Sequence, residues 1–178
     1  MQPTPSKFTP GASEAKPASL PTYVFRVHRA GAQTKYDFSS GFRSKNQTTI
    51  INTTAILDQF AMAHINGQTN ISSPFISVFD SYTHAEDMAR YFAQKYGDEM
   101  KVIQIDTHHL ARGPVFRVAD ILEGKMQVMG RMEEELHKGE YLIMYRIPAQ
   151  AVVSETPVGR GMANARRGPG VIGRPVQA

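Results

Sequence analysis

The chain contains no cysteine and no tryptophan. Without cysteine there can be neither a disulfide framework nor a thiolate-ligated metal site. Long apolar runs are also missing, since no stretch approaches the roughly 20 residues that a membrane-spanning helix needs. The first residues lack the charged-then-apolar layout of a cleavable signal peptide, so we expect none. What remains is a chain of 178 residues with enough apolar content, 41%, to form the core of a single domain.

Positive charge is concentrated at one end of the chain. The formal net charge is +4, and residues 159–178 hold four arginines with no acidic residue. The segment 22–158 is therefore close to electrical balance, and its charge does not indicate a nucleic-acid groove. Because residues 159–178 are also rich in glycine, we predict that they form a flexible basic tail.

Residues 1–21 hold five prolines among serine, threonine, alanine and lysine. A segment with so little to bury cannot offset the entropy cost of ordering, so we predict disorder there. A simple linker and a non-cleaved export signal of the Ser/Thr/Pro-rich kind both fit this composition. The predicted globular domain is then 22–158.

The first predicted strand, residues 23–29, has an unusual polar face. Alternation of bulky residues places Arg26 and His28 on one face of this strand. A buried arginine is rare unless it is paired or binds an anion. The alternative is an edge strand with one solvated face, and the stretch by itself favours that alternative.

Periodicity predicts the elements that follow. Residues 82–96 have apolar side chains at helical spacing, with serine before the segment and Gly97 after it. The other predicted elements are a helix at 54–64, strands at 72–79 and 100–106, and a mixed helix-and-loop segment at 118–136.

The run from Gly139 to Pro148 is rich in apolar and β-favouring residues, which predicts one buried strand. Glu140 stands at its beginning, directly after a glycine. A carboxylate there is a candidate catalytic group, although a solvated strand-end glutamate is the simpler interpretation of this stretch alone.

A metal site is not expected from this sequence. His108 and His109 are adjacent, so on an extended chain their side chains point to opposite faces and would not chelate one ion. No pair of histidines has the helical i, i+4 spacing.

The order of these pieces resembles the mono-ADP-ribosyltransferase toxins, specifically the arginine–serine–glutamate class that contains cholera-like and pierisin-like enzymes. The resemblance covers residues 23–158. Phe25-Arg26-Val27, which leads to Ser40-Gly41-Phe42, looks like the family's first motif, and Pro74-Phe75-Ile76-Ser77 is similar to the core of its serine motif. Glu140 then opens a strand as the family's glutamate does. The order and spacing of these motifs are more specific than any one of them.

The resemblance implies an α+β fold with two small, mostly antiparallel sheets and flanking helices around an NAD cleft. It also implies that NAD is the substrate. Glu140 would hold the ribose 2′-hydroxyl and stabilise a cationic transition state. Arg26 would bind the diphosphate, and Ser77 would orient Glu140 or the ribose.

Further contacts with NAD are expected from His28 and Phe75. The aromatic surface for nicotinamide stays open among four residues, Tyr23, Phe75, Phe79 and Tyr82.

Three departures from the family pattern bear on these roles. His28 stands where the family commonly has aspartate, and Ser77 is followed by Val78-Phe79 rather than by Thr-Ser. Lys138 stands two residues before Glu140, where the family often has the glutamate or glutamine that selects the acceptor. We therefore expect Lys138 to bear on acceptor selection, and arginine as the acceptor is in doubt.

Each assigned residue has rivals in the sequence. Arg29 or Arg43 could bind phosphate in place of Arg26. The rivals of Ser77 are Ser73 and Ser81, and those of Glu140 are Glu133 and Glu135.

The expected function is that of a mono-ADP-ribosyltransferase toxin or effector, a monomer that transfers ADP-ribose to a macromolecule. A protein acceptor is favoured and a nucleic acid is possible. An NAD glycohydrolase and a non-catalytic binding module are the alternatives. The chain is expected to be secreted or injected without a cleavable signal peptide and to act in the cytoplasm of a target cell.

Overall fold

The structure is a computed structural model that describes residues 20–110, 113–123 and 131–159, without the side chains of 131–133. Nearly all of the predicted disordered segment 1–21 and of the predicted basic tail 159–178 lies outside these residues. The predicted domain limits, 22–158, stay a prediction.

Six strands form the larger sheet, in the order β6-β7-β4-β1-β5-β9, and every neighbouring pair is antiparallel. Their bounds are β1 Tyr23–His28, β4 Phe75–Phe79, β5 Met100–Asp106, β6 Val115–Arg117, β7 Glu140–Met144 and β9 Val152–Val158.

A second, smaller sheet has three antiparallel strands in the order β2-β3-β8. They are β2 Lys35–Asp37, β3 Gly41–Arg43 and β8 Arg146–Ile147. The helices are α1 Thr54–Ile65, α2 Tyr82–Tyr96, α3 Val118–Leu122 and α4 Arg131–Leu136. The predicted α+β fold with two antiparallel sheets and flanking helices is confirmed.

The two faces of the larger sheet are covered by different partners. Because side chains alternate along a strand, Ile76 and Val78 of β4 pack with Phe42 and Ile147 of the smaller sheet. On the opposite face, α1 and α3 pack over Phe75 and the middle of β7. Helix α2 covers the same face further along, against Phe79 and strands β1, β5 and β9. The candidate site lies on this helix-covered face.

Strand β1 is interior, between β4 and β5, which overturns the edge-strand alternative. It pairs with β5 along all six of its residues. With β4 it shares the single register pair Phe25↔Phe79. The two strands therefore join at one end only, and Arg26 comes directly after the joint.

The prediction of one strand over residues 139–148 is wrong, because the run is divided between the two sheets. β7 ends at Met144, Tyr145 adopts a φ of 62°, and β8 continues in the smaller sheet. A positive φ is uncommon for a tyrosine and costs energy. Hydrogen bonds fix it: the Tyr145 amide donates to the Pro74 carbonyl at 2.8 Å, and its carbonyl accepts from the Ser44 amide at 2.7 Å. The apolar pattern continues through the break because β7 is buried along its length and Ile147 of β8 is buried as well.

Helix α2 spans residues 82–96, as predicted. Ser81 caps its first turn, and Gly97 ends it with a φ of 78°. α1 runs one residue beyond the predicted 54–64. The segment 118–136 contains two short helices, and residues 124–130 between them lie outside the described part. Within the described residues, no helix has the length and apolar character needed to cross a membrane.

Candidate active site

A cleft of about 670 Å³ opens on the helix-covered face of the larger sheet. Strands β4 and β7 contribute its floor through Ser77 and Glu140, and Arg26 of β1 also lines it. The end of α1 with the loop after it forms one wall, and α2 forms the other. A volume of this size is typical of small-molecule sites.

Glu140 is buried, with 4% of its surface exposed, and lies at the first position of β7 opposite Phe79. Gly139 makes this placement possible. Its φ is +66°, and a Cβ there would lie 2.1 Å from Oδ1 of Asp80. The Asp80 amide also donates to the Gly139 carbonyl at 2.9 Å. The glycine therefore serves a fixed tight turn rather than flexibility.

The carboxylate of Glu140 has a close histidine partner. Nδ1 of His137 lies 2.5 Å from Oε2 of Glu140, and both side chains line the cleft. The Glu140 amide donates to the His137 carbonyl at 3.1 Å, so the two residues belong to one turn.

Arg26 is 9% exposed and reaches the cleft from the point where β1 and β4 part. Its Nη1 donates to the Ser77 carbonyl at 2.8 Å, and its Nε has no hydrogen-bond partner among the described residues. Burial lowers the pKa of Arg26 to about 10, while the charge of Glu140 acts in the opposite direction. The guanidinium is therefore still a cation at neutral pH, with donors to spare for an anion.

His64, at the end of α1, joins two serines that the sequence left as alternatives. Its Nδ1 lies 2.6 Å from Oγ of Ser73, and its Nε2 lies 2.6 Å from Oγ of Ser77. Burial lowers the pKa of His64 to about 4; the Glu140 charge opposes this, and Arg26 and His137 add to it. The ring is thus neutral at pH 7, so it donates to one hydroxyl and accepts from the other.

Two of the four candidate aromatic residues line the cleft. Phe75 and Phe79 share a face of β4 with Ser77 and contribute to the lining. The ring of Phe75 also packs edge-on against His64, with centroids 6.0 Å apart. Tyr23 and Tyr82 do not line this cleft.

Two predicted residues lie away from the cleft. His28 packs edge-on against Tyr36 and Phe42, with centroids 5.6 and 5.5 Å away, towards the smaller sheet. Lys138 is exposed and does not line the cleft. The predicted contact of His28 with NAD, and the predicted role of Lys138 in acceptor selection, find no support in these positions and stay predictions.

Of the alternative residues that the sequence left open, some line the cleft and others do not. Arg29 and Ser73 line the cleft, whereas Arg43 and Ser81 do not. Glu135 is exposed and absent from the lining. The side chain of Glu133 lies outside the described part of the chain.

Sequence reasoning missed two histidines that form hydrogen bonds with the assigned residues in the cleft. His64 is the last residue of the predicted helix 54–64, and nothing in the local pattern shows that it bridges two serines. His137 carried a usable signal, because it lies three residues before Glu140 with a glycine between them, a spacing that suits a tight turn. No group of three His, Asp or Glu side chains that could hold a metal occurs within the described ranges.

Comparison with known proteins identifies the fold class. The solved chain named EcPltA has an ADP-ribosyltransferase-like toxin fold. It superposes with a TM-score of 0.51 at 15% identity, covering 76% of this chain and 75% of that one. At this identity the likeness concerns the fold, which is ADP-ribosyltransferase-like.

The family follows from a sequence model. A protein-family model described as "Domain of unknown function (DUF7587)" matches residues 19–160, so the chain belongs to this family. No curated protein matches the chain.

Proposed function

We propose that this protein is an NAD-cleaving ADP-ribosyltransferase whose active site is the cleft on the helix-covered face. The observation that carries the proposal is the burial of two opposite charges in one cleft. The Glu140 carboxylate and the Arg26 guanidinium are both buried, both line the cleft and interact electrostatically. Burying charges is costly unless they are paired or serve a ligand.

Glu140 supplies what cleavage of the nicotinamide–ribose bond requires. As that bond breaks, the ribose gains oxocarbenium character, and a fixed carboxylate stabilises the cation, as in glycosidases. Oε2 of Glu140 forms a hydrogen bond with Nδ1 of His137. Oε1 can then accept a hydrogen bond from the ribose 2′-hydroxyl.

Arg26 supplies the anchor for the diphosphate. A planar guanidinium fits phosphate oxygens with two parallel hydrogen bonds, which a lysine cannot do. One of its nitrogens is already held by the Ser77 carbonyl, so the group is oriented before the ligand arrives.

Ser77 and His64 orient the substrate in this proposal. The Ser77 hydroxyl is held by a neutral imidazole, which is held in turn by Ser73. This chain fixes the direction of one hydroxyl on the floor of the cleft. Phe75 and Phe79 provide aromatic surface beside it for the nicotinamide ring.

The experiment that tests the function uses labelled NAD. Purified protein is incubated with a target-cell lysate and NAD labelled in its ADP-ribose moiety, and the wild type is compared with Glu140→Ala. A labelled macromolecule that is lost in the variant supports transfer and reveals the acceptor class. Release of free ADP-ribose without a labelled macromolecule would favour the NAD glycohydrolase alternative. No NAD binding by calorimetry would favour the non-catalytic module.

A nucleic-acid acceptor is a separate outcome of the same experiment. The arginines of residues 159–178 could bring DNA or RNA to the cleft by contacts with phosphates. If so, removing residues 159–178 abolishes labelling of nucleic acid, and unchanged labelling contradicts this version.

Export into a target cell, as a toxin or effector, belongs to the proposal through the family resemblance. Expression inside a model eukaryotic cell tests the toxin role, because the wild type but not Glu140→Ala should slow growth of that cell. Equal growth with both would contradict a toxin role.

A further inference from the structure

The turn that precedes β7 places a histidine, not the lysine, in the cleft. His137 lines the cleft with 18% of its side chain exposed, whereas Lys138 is exposed outside it. The residue of this turn that can meet an acceptor beside Glu140 is therefore His137.

The hydrogen bond to Glu140 fixes the chemistry of the imidazole. An ionised carboxylate accepts hydrogen bonds and donates none. Nδ1 of His137 must therefore carry the hydrogen that Oε2 of Glu140 accepts at 2.5 Å. In a neutral ring the remaining nitrogen, Nε2, then has a free lone pair. No described residue forms a hydrogen bond with Nε2.

We propose that His137 is the general base that activates the acceptor, a role that rests on the proposed NAD cleavage. The arrangement follows the logic of a carboxylate–histidine pair, in which the carboxylate selects the tautomer and stabilises the imidazolium that forms. Oε1 of Glu140 thus accepts a hydrogen bond from the ribose, and Oε2 of Glu140 accepts one from His137.

In the transfer step, one bond at C1′ of the ribose breaks and another forms. The bond between C1′ of the ribose and the nicotinamide nitrogen breaks, and its electron pair stays on that nitrogen and neutralises the ring. A bond forms between C1′ and an oxygen of the acceptor hydroxyl or of water. The proton of that oxygen passes to Nε2 of His137, and solvent takes it after release of the product.

The chemical class of the acceptor follows from this base. A neutral imidazole can take a proton from a hydroxyl or from water as attack proceeds. It cannot readily deprotonate a guanidinium, which remains a cation far above neutral pH. The site is therefore suited to hydroxyl acceptors or water rather than to arginine.

The test compares two nucleophiles in one reaction. NAD is incubated with the protein at a fixed azide concentration, and ADP-ribose and ADP-ribosyl azide are quantified by mass spectrometry. Water must lose a proton as it attacks, whereas azide is an anion with none to lose. His137→Asn keeps an amide N–H that can donate to Glu140 but provides no base. We expect its ratio of azide product to ADP-ribose to rise about tenfold or more over wild type.

A merely structural role would lower both products together and leave this ratio unchanged, and that result would overturn the inference. His109→Asn is the matched control, because His109 is 57% exposed and lies outside the cleft lining, and its ratio should equal that of the wild type. If His137→Asn does not fold, as judged by circular dichroism, His137→Gln is measured in its place with the same expectation. Failure of the proposed function is distinguishable, because the wild type would then form neither product.

Discussion

Arg26 and His28 lie two positions apart on β1, and each is 9% exposed, yet they occupy different surroundings. Arg26 reaches the cleft between β1 and β4, where Glu140 supplies the opposite charge. His28 packs between Tyr36 and Phe42, near the smaller sheet. Each retains one buried nitrogen without a partner among the described residues. Equal burial therefore does not mean equal surroundings, and of these two residues Arg26 alone lines the cleft.

The difference arises from how β1 is paired. Along β5 it forms a continuous ladder. On the side of the smaller sheet, Tyr36 and Phe42 pack against His28. With β4 the ladder stops after one pair, and the Ser77 carbonyl accepts from the Arg26 guanidinium. A break in strand pairing thus creates the cleft and delivers a cation to it. Catalysis is expected to depend on Arg26, which reaches the cleft where β1 and β4 part, and acid stability on His28, which packs beside the smaller sheet.

The largest expected effect follows from removing the charge of Glu140. Glu140→Gln should lower NAD cleavage by about 100-fold or more, because the carboxylate stabilises the developing cation. Release of nicotinamide, measured by chromatography, tests this. Glu155→Gln is the control, since Glu155 accepts hydrogen bonds from Tyr36 and Lys101 and does not line the cleft. Loss of NAD cleavage in Glu155→Gln, with cleavage retained in Glu140→Gln, would contradict the role assigned to Glu140.

A smaller effect is expected from Arg26→Lys. The variant keeps the charge but loses the planar fork, so the dissociation constant for NAD should rise about tenfold. Isothermal titration calorimetry measures it. Arg29→Lys provides the comparison, because Arg29 also lines the cleft and lies over the ring of Tyr96 at 4.4 Å. A larger loss with Arg29→Lys would move the diphosphate site to that residue.

Removal of the hydroxyl that His64 holds should have a further, smaller effect. Ser77→Ala should lower kcat/KM for NAD cleavage about fivefold to tenfold, since a hydrogen bond of this kind is worth about 1 kcal/mol. Ser73→Ala should cost less, because the Ser73 hydroxyl holds His64 from its far side and also accepts from the Phe75 amide. Steady-state kinetics of both variants decide, and the reverse ranking would make Ser73 the functional serine.

His28→Phe should leave NAD cleavage unchanged and alter acid stability. Burial, with help from Arg26 and Lys101, lowers the pKa of His28 to about 4. The unfolded chain therefore binds a proton more readily than the folded one between about pH 6.5 and pH 4, and stability falls as the pH drops through this window. The variant should lose about 2 kcal/mol less than wild type between pH 7 and pH 4.5.

Urea unfolding at both pH values measures this difference. His64 also has its pKa lowered to about 4, so the variant retains part of the pH dependence. Weaker NAD binding by His28→Phe, with unchanged stability at pH 7, would instead support the predicted contact of His28 with the substrate.

Local patterns predicted the elements whose signals are local. Helix α2 lies where the apolar spacing, Ser81 and Gly97 placed it. The arginine, serine and glutamate of the predicted site all line one cleft. Alternation along β1 also put Arg26 and His28 on one face correctly, but it could not show that β4 leaves β1 after one pair.

What the sequence did not reveal depends on contacts between distant residues. The division of 139–148 between two sheets depends on Tyr145, which Pro74 and Ser44 hold in place. The choice between Ser73 and Ser77 had no answer in the sequence, because His64 binds both. The sequence predicted a role in acceptor selection for Lys138 because it lies two residues before Glu140. In the structure, however, His137 lines the cleft and Lys138 does not.

The central claim, that the cleft binds NAD, is tested most directly by a crystal structure of Glu140→Gln grown with NAD. We expect NAD in the cleft, with its diphosphate on Arg26 and the nicotinamide ribose beside residue 140 and Ser77. NAD bound elsewhere, or an empty cleft at saturating NAD, would contradict it.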